Sequence, residues 1–176
     1  MGTWHNLGFV AAQMLATELG TEFVKIGNAM LATQGNIIIA KPLTYMNRSG
    51  EAIIPLKRKN KIATERIIVL VDDIYTNLGK IKIVRGGTSG HNGTRNIKEH
   101  LGSNEYLRIK IGCKPAREIA DMALFVLSKV PKSDELVVEN ALKTAVEATI
   151  MLINGATLDQ VCAKFNTKTV REEVKT

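Results

Sequence analysis

Ile67-Ile68-Val69-Leu70-Val71-Asp72-Asp73 is the stretch on which the fold turns. Five β-branched or leucine residues in a row suit a strand covered on both faces, and the two carboxylates fall where that strand leaves the core. Ligands in open α/β sheets collect at such an edge. The chain then returns through Arg85-Gly86-Gly87-Thr88-Ser89-Gly90-His91-Asn92-Gly93. Its glycines let backbone approach a substrate closely, while His91 and Asn92 supply side chains able to orient a carbonyl, a hydroxyl or a phosphate. The segment from Asp72 to Ile97 is the expected floor of a site.

The glycine loop alone is a weak signal. It has neither the G-x-G-x-x-G spacing of a dinucleotide fold nor the Gly-Lys-Ser/Thr of a P-loop, so a nucleotide-phosphate enzyme ranks low. Its blandest reading is a solvated turn, with Asn92 capping a helix that opens at Gly93 and stops at Gly102.

Outward from this stretch, the chain reads as alternating strands and helices. Leu7, Val10, Ala11, Met14 and Leu15 recur at helical spacing up to Gly20, with Asn6 as the expected cap and His5 at the helix's positive end. Phe23 to Ile26 and Asn36 to Ala40 read as strands separated by a turn at Gln34-Gly35. The second delivers Lys41-Pro42-Leu43-Thr44-Tyr45-Met46-Asn47-Arg48-Ser49-Gly50, in which Ser49 is the expected cap of a helix toward Lys59 despite Pro55. Tyr45, Met46 and Asn47 lie in the loop between, where an aromatic and an amide suit a nucleotide as well as they suit packing. Tyr106 to Cys113 alternates, with Leu107, Ile109 and Ile111 on one face and Arg108 and Lys110 on the other. A long apolar stripe from Asp134 to Asn154 and a shorter one from Leu158 to Phe165 predict two closing helices, and residues 167–176 a frayed tail. The expected architecture is one α/β domain over 1–176, a mixed twisted sheet flanked by helices on both faces.

At 176 residues and 45% apolar, the chain has room for one real core. The formal charge of +7, with Lys57-Arg58-Lys59 and Lys61 clustered, favours an anionic partner such as nucleic acid. Cys113 and Cys162 lack disulfide or metal-ligand spacing, which argues for a reducing compartment and against a zinc site. No apolar run approaches a membrane span, and a basic leader is missing at the amino terminus.

Four motifs occur in order: Thr3-Trp4-His5-Asn6-Leu7-Gly8, Lys41 through Gly50, Val71-Asp72-Asp73 ahead of Leu78-Gly79-Lys80, and Gly90-His91-Asn92-Gly93. With Arg108-Ile109-Lys110-Ile111-Gly112 and Phe125-Val126-Leu127-Ser128 they span nearly the whole chain, which resembles the bacterial-type peptidyl-tRNA hydrolases. The resemblance implies a cytoplasmic esterase, or a mitochondrial one if a targeting segment has been lost. It would cut the ester between a peptide and the 3′ ribose of tRNA, recycling tRNA from stalled translation as a monomer without cofactor or metal. It implies that His5 is the general base and Asp72 the carboxylate holding its imidazole. Asn47 and Asn92 would bind the substrate's carbonyl and 3′ end. Tyr45, Met46, Gly90 and His91 would contact the tRNA terminus, and Lys82, Lys110 and Arg117 its phosphates.

The chemistry is coherent by itself. Histidine is a base near neutrality, a carboxylate fixes its tautomer, and amide donors stabilise an oxyanion. No serine or cysteine in the motifs is placed as a nucleophile, so water attacks directly. The family pattern begins with an apolar strand and Leu-Gly-Asn-Pro-Gly ahead of Thr-Arg-His-Asn. Neither precedes Thr3 here, Trp4 stands for the arginine, Ser89 for a glycine and Tyr75 for an acid. A sheet lacking that strand is expected to leave backbone groups unpaired beside the site. The alternative function this opens is a tRNA-binding protein of the same fold with weakened catalysis.

Overall fold

A computed structural model describes residues 2–88, 90–115 and 118–166. Helix α1, Leu7–Glu18, follows a 3-10 turn at Trp4–Asn6. Strands β1 (Val24–Ile26), β2 (Ala29–Gln34) and β3 (Ile37–Pro42) form an antiparallel meander. A 3-10 turn at Met46–Arg48 leads into α2, Ser49–Lys59. Strands β4 (Ile68–Asn77) and β5 (Ile81–Arg85), helix α3 (Asn92–Leu101) and strand β6 (Leu107–Lys114) follow. Helices α4 (Met122–Leu127), α5 (Glu135–Ile153) and α6 (Leu158–Phe165) close the chain.

The expected α/β layering holds, with the mixed sheet in two parts. One is the meander β1-β2-β3; the other has the order β4-β6-β5, with β6 parallel to β4 and antiparallel to β5. Among the described residues, strands β3 and β4 are each paired on one side only. Their outer edges line a common groove of about 1130 Å³, roofed and floored by apolar side chains of α1, α2 and α5. Leu7, Ile83, Ile109, Ile111, Val138, Leu142 and Val161 form the main core between the second sheet and the helices α1, α5 and α6.

Several local expectations are corrected. Strand β2, Ala29–Gln34, occupies what read as a connection between two strands; its alanines are poor strand formers, and they are buried here by tertiary packing. Strand β4 does not end at Asp72 but runs to Asn77, with a register shift between Asp73 and Asn77. Strand β6 alternates in chemistry and not in exposure, because both faces are covered. Arg108 Nε donates to the Gly86 carbonyl at 2.7 Å, and Lys110 pairs with Asp73 at 2.9 Å. Neither Asn6, Ser49 nor Asn92 caps its helix through its side chain; Ser49 Oγ instead donates to the Met46 carbonyl, and the cap of α3 is His91. The tail 167–176 lies outside the described residues.

Candidate active site

The site begins with how α1 is seated. Gly8 lies so close to the Leu70 carbonyl of β4 that a Cβ would collide with it, which brings the head of α1 down onto the strand. From the other side, Trp4 is buried and stacks on Phe125 of α4 at 5.4 Å between ring centroids, and its amide donates to the Ser128 carbonyl. Between these two anchors His5 has little freedom. Its Nδ1 lies 3.1 Å from both Oδ1 and Oδ2 of Asp72.

Asp72 is 5% exposed. Burial alone would raise its pKa, but hydrogen bonds from His5 and His91, and the charge interactions with both rings, outweigh it and hold the carboxyl below its ordinary range. An ionised carboxylate only accepts hydrogen bonds, so the proton of neutral His5 sits on Nδ1 and leaves the Nε2 lone pair free. That is the state of a general base.

A third group completes the cluster. His91 Nε2 lies 3.2 Å from Asp72 Oδ1, and the two imidazoles are 4.8 Å apart at a tilt of 50°. His91 Nδ1 accepts hydrogen bonds from the Gly93 and Thr94 amides at 3.1 and 3.3 Å, capping α3. His5, Asp72 and His91 offer atoms within 4.8 Å of one another, a spacing open to a metal ion. The donor set does not fit one. A ligating histidine donates its second ring N–H to a neighbour, whereas Nδ1 of His91 accepts from two amides and so obliges Nε2 to keep its proton.

Other expected residues are distributed more widely. Met46 Sδ comes within 2.6 Å of where a Cβ on Gly93 would lie, so the turn bearing Asn47 abuts the helix start bearing Asn92. Both asparagines are exposed, and Tyr45 is 80% exposed on the same rim. Gly90 is exposed with a φ of +75°, a left-handed turn that favours glycine. Lys82 is exposed on β5. Lys110, expected on a phosphate, is buried against Asp73, so that reaching a ligand would cost it a buried ion pair. Arg117 lies outside the described residues.

Sequence reasoning missed the support behind the dyad. Adjacent residues of a strand point to opposite faces. Asp72 therefore faces the histidines while Asp73 takes Lys110 and a 2.5 Å hydrogen bond from Thr76 Oγ1. The signal was the Asp72-Asp73 pair itself, opposite the lysine of an alternating strand. His91, expected to contact the tRNA terminus, turns inward to Asp72.

Comparison with known proteins bears on the family and the fold. The peptidyl-tRNA hydrolase family model matches residues 1–173. A peptidyl-tRNA hydrolase of Elusimicrobium minutum is 38% identical over 170 residues, covering 93% of this chain and 90% of its own. One from Thermoanaerobacter sp. is 38% identical over 172 residues, covering 94% and 91%. The crystal structure of peptidyl-tRNA hydrolase from Acinetobacter baumannii superposes with a TM-score of 0.82 at 29% identity, covering 93% of this chain and 85% of that one. A family model matching almost the whole chain, relatives well above 30% identity and a shared fold leave one assignment: the chain belongs to the peptidyl-tRNA hydrolase family.

Proposed function

We propose that this protein hydrolyses the ester between a peptide and the 3′ ribose of tRNA, with His5 as general base. The observation that carries the reading is the His5–Asp72 pair, an imidazole whose Nδ1 is held by both carboxylate oxygens, in a chain of this family.

The chemistry runs in two steps. His5 Nε2 takes a proton from water as its oxygen attacks the ester carbonyl, and the carbonyl electron pair moves onto oxygen. Asp72 stabilises the imidazolium so formed. Asn47 and Asn92, on the neighbouring rim, donate to the oxyanion; loss of one such donor typically costs on the order of 100-fold or more. Collapse of the intermediate breaks the bond to the ribose 3′ oxygen, which takes the proton back from His5. Tyr45 offers an exposed ring for stacking on a terminal base. The net charge of +7 supports phosphate contacts, and affinity for tRNA should fall with rising salt. We also place the protein among the cytoplasmic translation factors, acting as a monomer.

Single-turnover cleavage of a labelled N-blocked aminoacyl-tRNA by excess enzyme tests the reading, because it separates chemistry from binding. The parent should release tRNA, and His5→Ala should bind it with similar affinity and release none. Parental cleavage rates in His5→Ala would overturn the assignment of the base.

A further inference from the structure

His91 enters the cluster in a way that substrate binding does not explain. Its ring is mostly buried, with a side-chain exposure of 10%, and neither nitrogen is directed to the rim. Nδ1 is occupied by two amide donors, and Nε2 faces the carboxylate. Two N–H donors at Nδ1 leave no room for a proton there, so the start of α3 selects the Nε2–H tautomer. The ring is thereby a one-way donor aimed at Asp72 Oδ1.

That oxygen also receives His5, so Asp72 divides its negative charge between two imidazoles. The remaining groups around the carboxylate contribute less directly. Cys113 on β6 is a buried thiol that burial and the Asp72 and Asp73 charges keep protonated. Asp73, on the far face of β4, is neutralised by Lys110. His5 from the first turn and His91 from the head of α3 are therefore the groups that set how strongly Asp72 pulls on a proton.

We propose that His91 is a positioning residue of the hydrolysis, a tautomer-locked donor that holds Asp72 in place and moderates its grip on His5. This rests on the reading of His5 as the base. Without the second donor, Asp72 would concentrate its charge on His5, stabilise the imidazolium more and keep the base protonated to higher pH.

The test is His91→Asn, whose carbonyl can still cap α3 through Gly93 and Thr94 while its amide is too short to reach Asp72. The acid limb of kcat/KM against pH should move upward, on the order of half a unit. KM for the tRNA ester should stay near the parental value, while the melting temperature falls by a few degrees with the loss of one hydrogen bond to a buried carboxylate. An unmoved limb with a raised KM would overturn the proposal in favour of substrate contact. An unmoved limb beside that lowered melting temperature would overturn it too, leaving the His91–Asp72 contact purely structural. Ring 15N NMR of the parent decides the premise without any activity. The Nε2–H tautomer at His91 is expected, and Nδ1–H would overturn the proposal even if the variant did not fold. Should the parent prove inactive, the hydrolase reading would fall, but the same spectra would still decide this one: His5 should take up its second proton at a higher pH in His91→Asn than in the parent, and no difference would overturn it.

Discussion

At the residue scale, Asp72 concentrates function and stability in one carboxylate. Replacing it with Asn puts an amide where two N–H groups seek an acceptor, so one contact becomes donor against donor and the His5 tautomer is no longer specified. Single-turnover cleavage by Asp72→Asn should fall by roughly 1000-fold or more. The pH dependence of stability has a definite sign. A carboxyl held below its ordinary range in the folded state contributes stability at pH above the unfolded value, about 3.9, and loses it as pH falls through the folded value. Denaturant midpoints of the parent should therefore exceed those of Asp72→Asn at neutral pH, and the gap should close in the acid range. A gap independent of pH would mean that packing, not charge, separates the two.

Elements are held at a few points of close backbone approach, and these differ sharply from ordinary caps. Gly112 of β6 donates to the Lys80 carbonyl at 2.8 Å, and a Cβ there would collide with the Asn77 carbonyl and reach within 2.8 Å of Lys80 O. Backbone on both sides cannot rotate away as a side chain would. Gly112→Ala should cost about 2 kcal/mol, a fall of roughly 4–8 °C in melting temperature. Thr157 instead caps α6 in a reciprocal capping box with Gln160, exposed to water. Thr157→Ala should cost about 1 kcal/mol, and circular dichroism melts of the two variants would rank them. The same contrast explains what was legible in the sequence. Helices α1, α5 and α6 announce themselves through apolar spacing, and Gly102 ends α3 in a left-handed cap as expected. Strand β2 was not legible because its alanines carry no strand preference until the fold buries them. The burial of Lys110 was equally hidden, since alternation in β6 reads as a wet face until the second layer is known. His5 and Asp72 could be found through motifs 67 residues apart, but the inward turn of His91 depends on how the head of α3 meets β4.

On the scale of the whole molecule, the strands differ in how completely their backbones are satisfied. Strand β6 is paired on both sides, with β4 parallel and β5 antiparallel, and it is buried on both faces. Among the described residues, strands β3 and β4 each lack a neighbour on the side facing the groove, whose lining also includes His5, Asp72 and His91. Amide exchange follows pairing and solvent access, so the molecule should show a gradient of protection that the overall fold class does not imply. In native-state hydrogen exchange, amides of β6 should be the slowest. Along β3 and β4 protection should alternate, the amides directed at the groove exchanging on the order of 100-fold faster than those directed at a paired strand. The alternation matters to function because β4 carries Asp72. Fluctuations of the open edge would reach the carboxylate that orients the base, whereas Gly8 against Leu70 and the buried Asp73–Lys110 pair oppose them. Uniform protection along β3 and β4 would mean that the groove closes in solution and that the two sheets join into one.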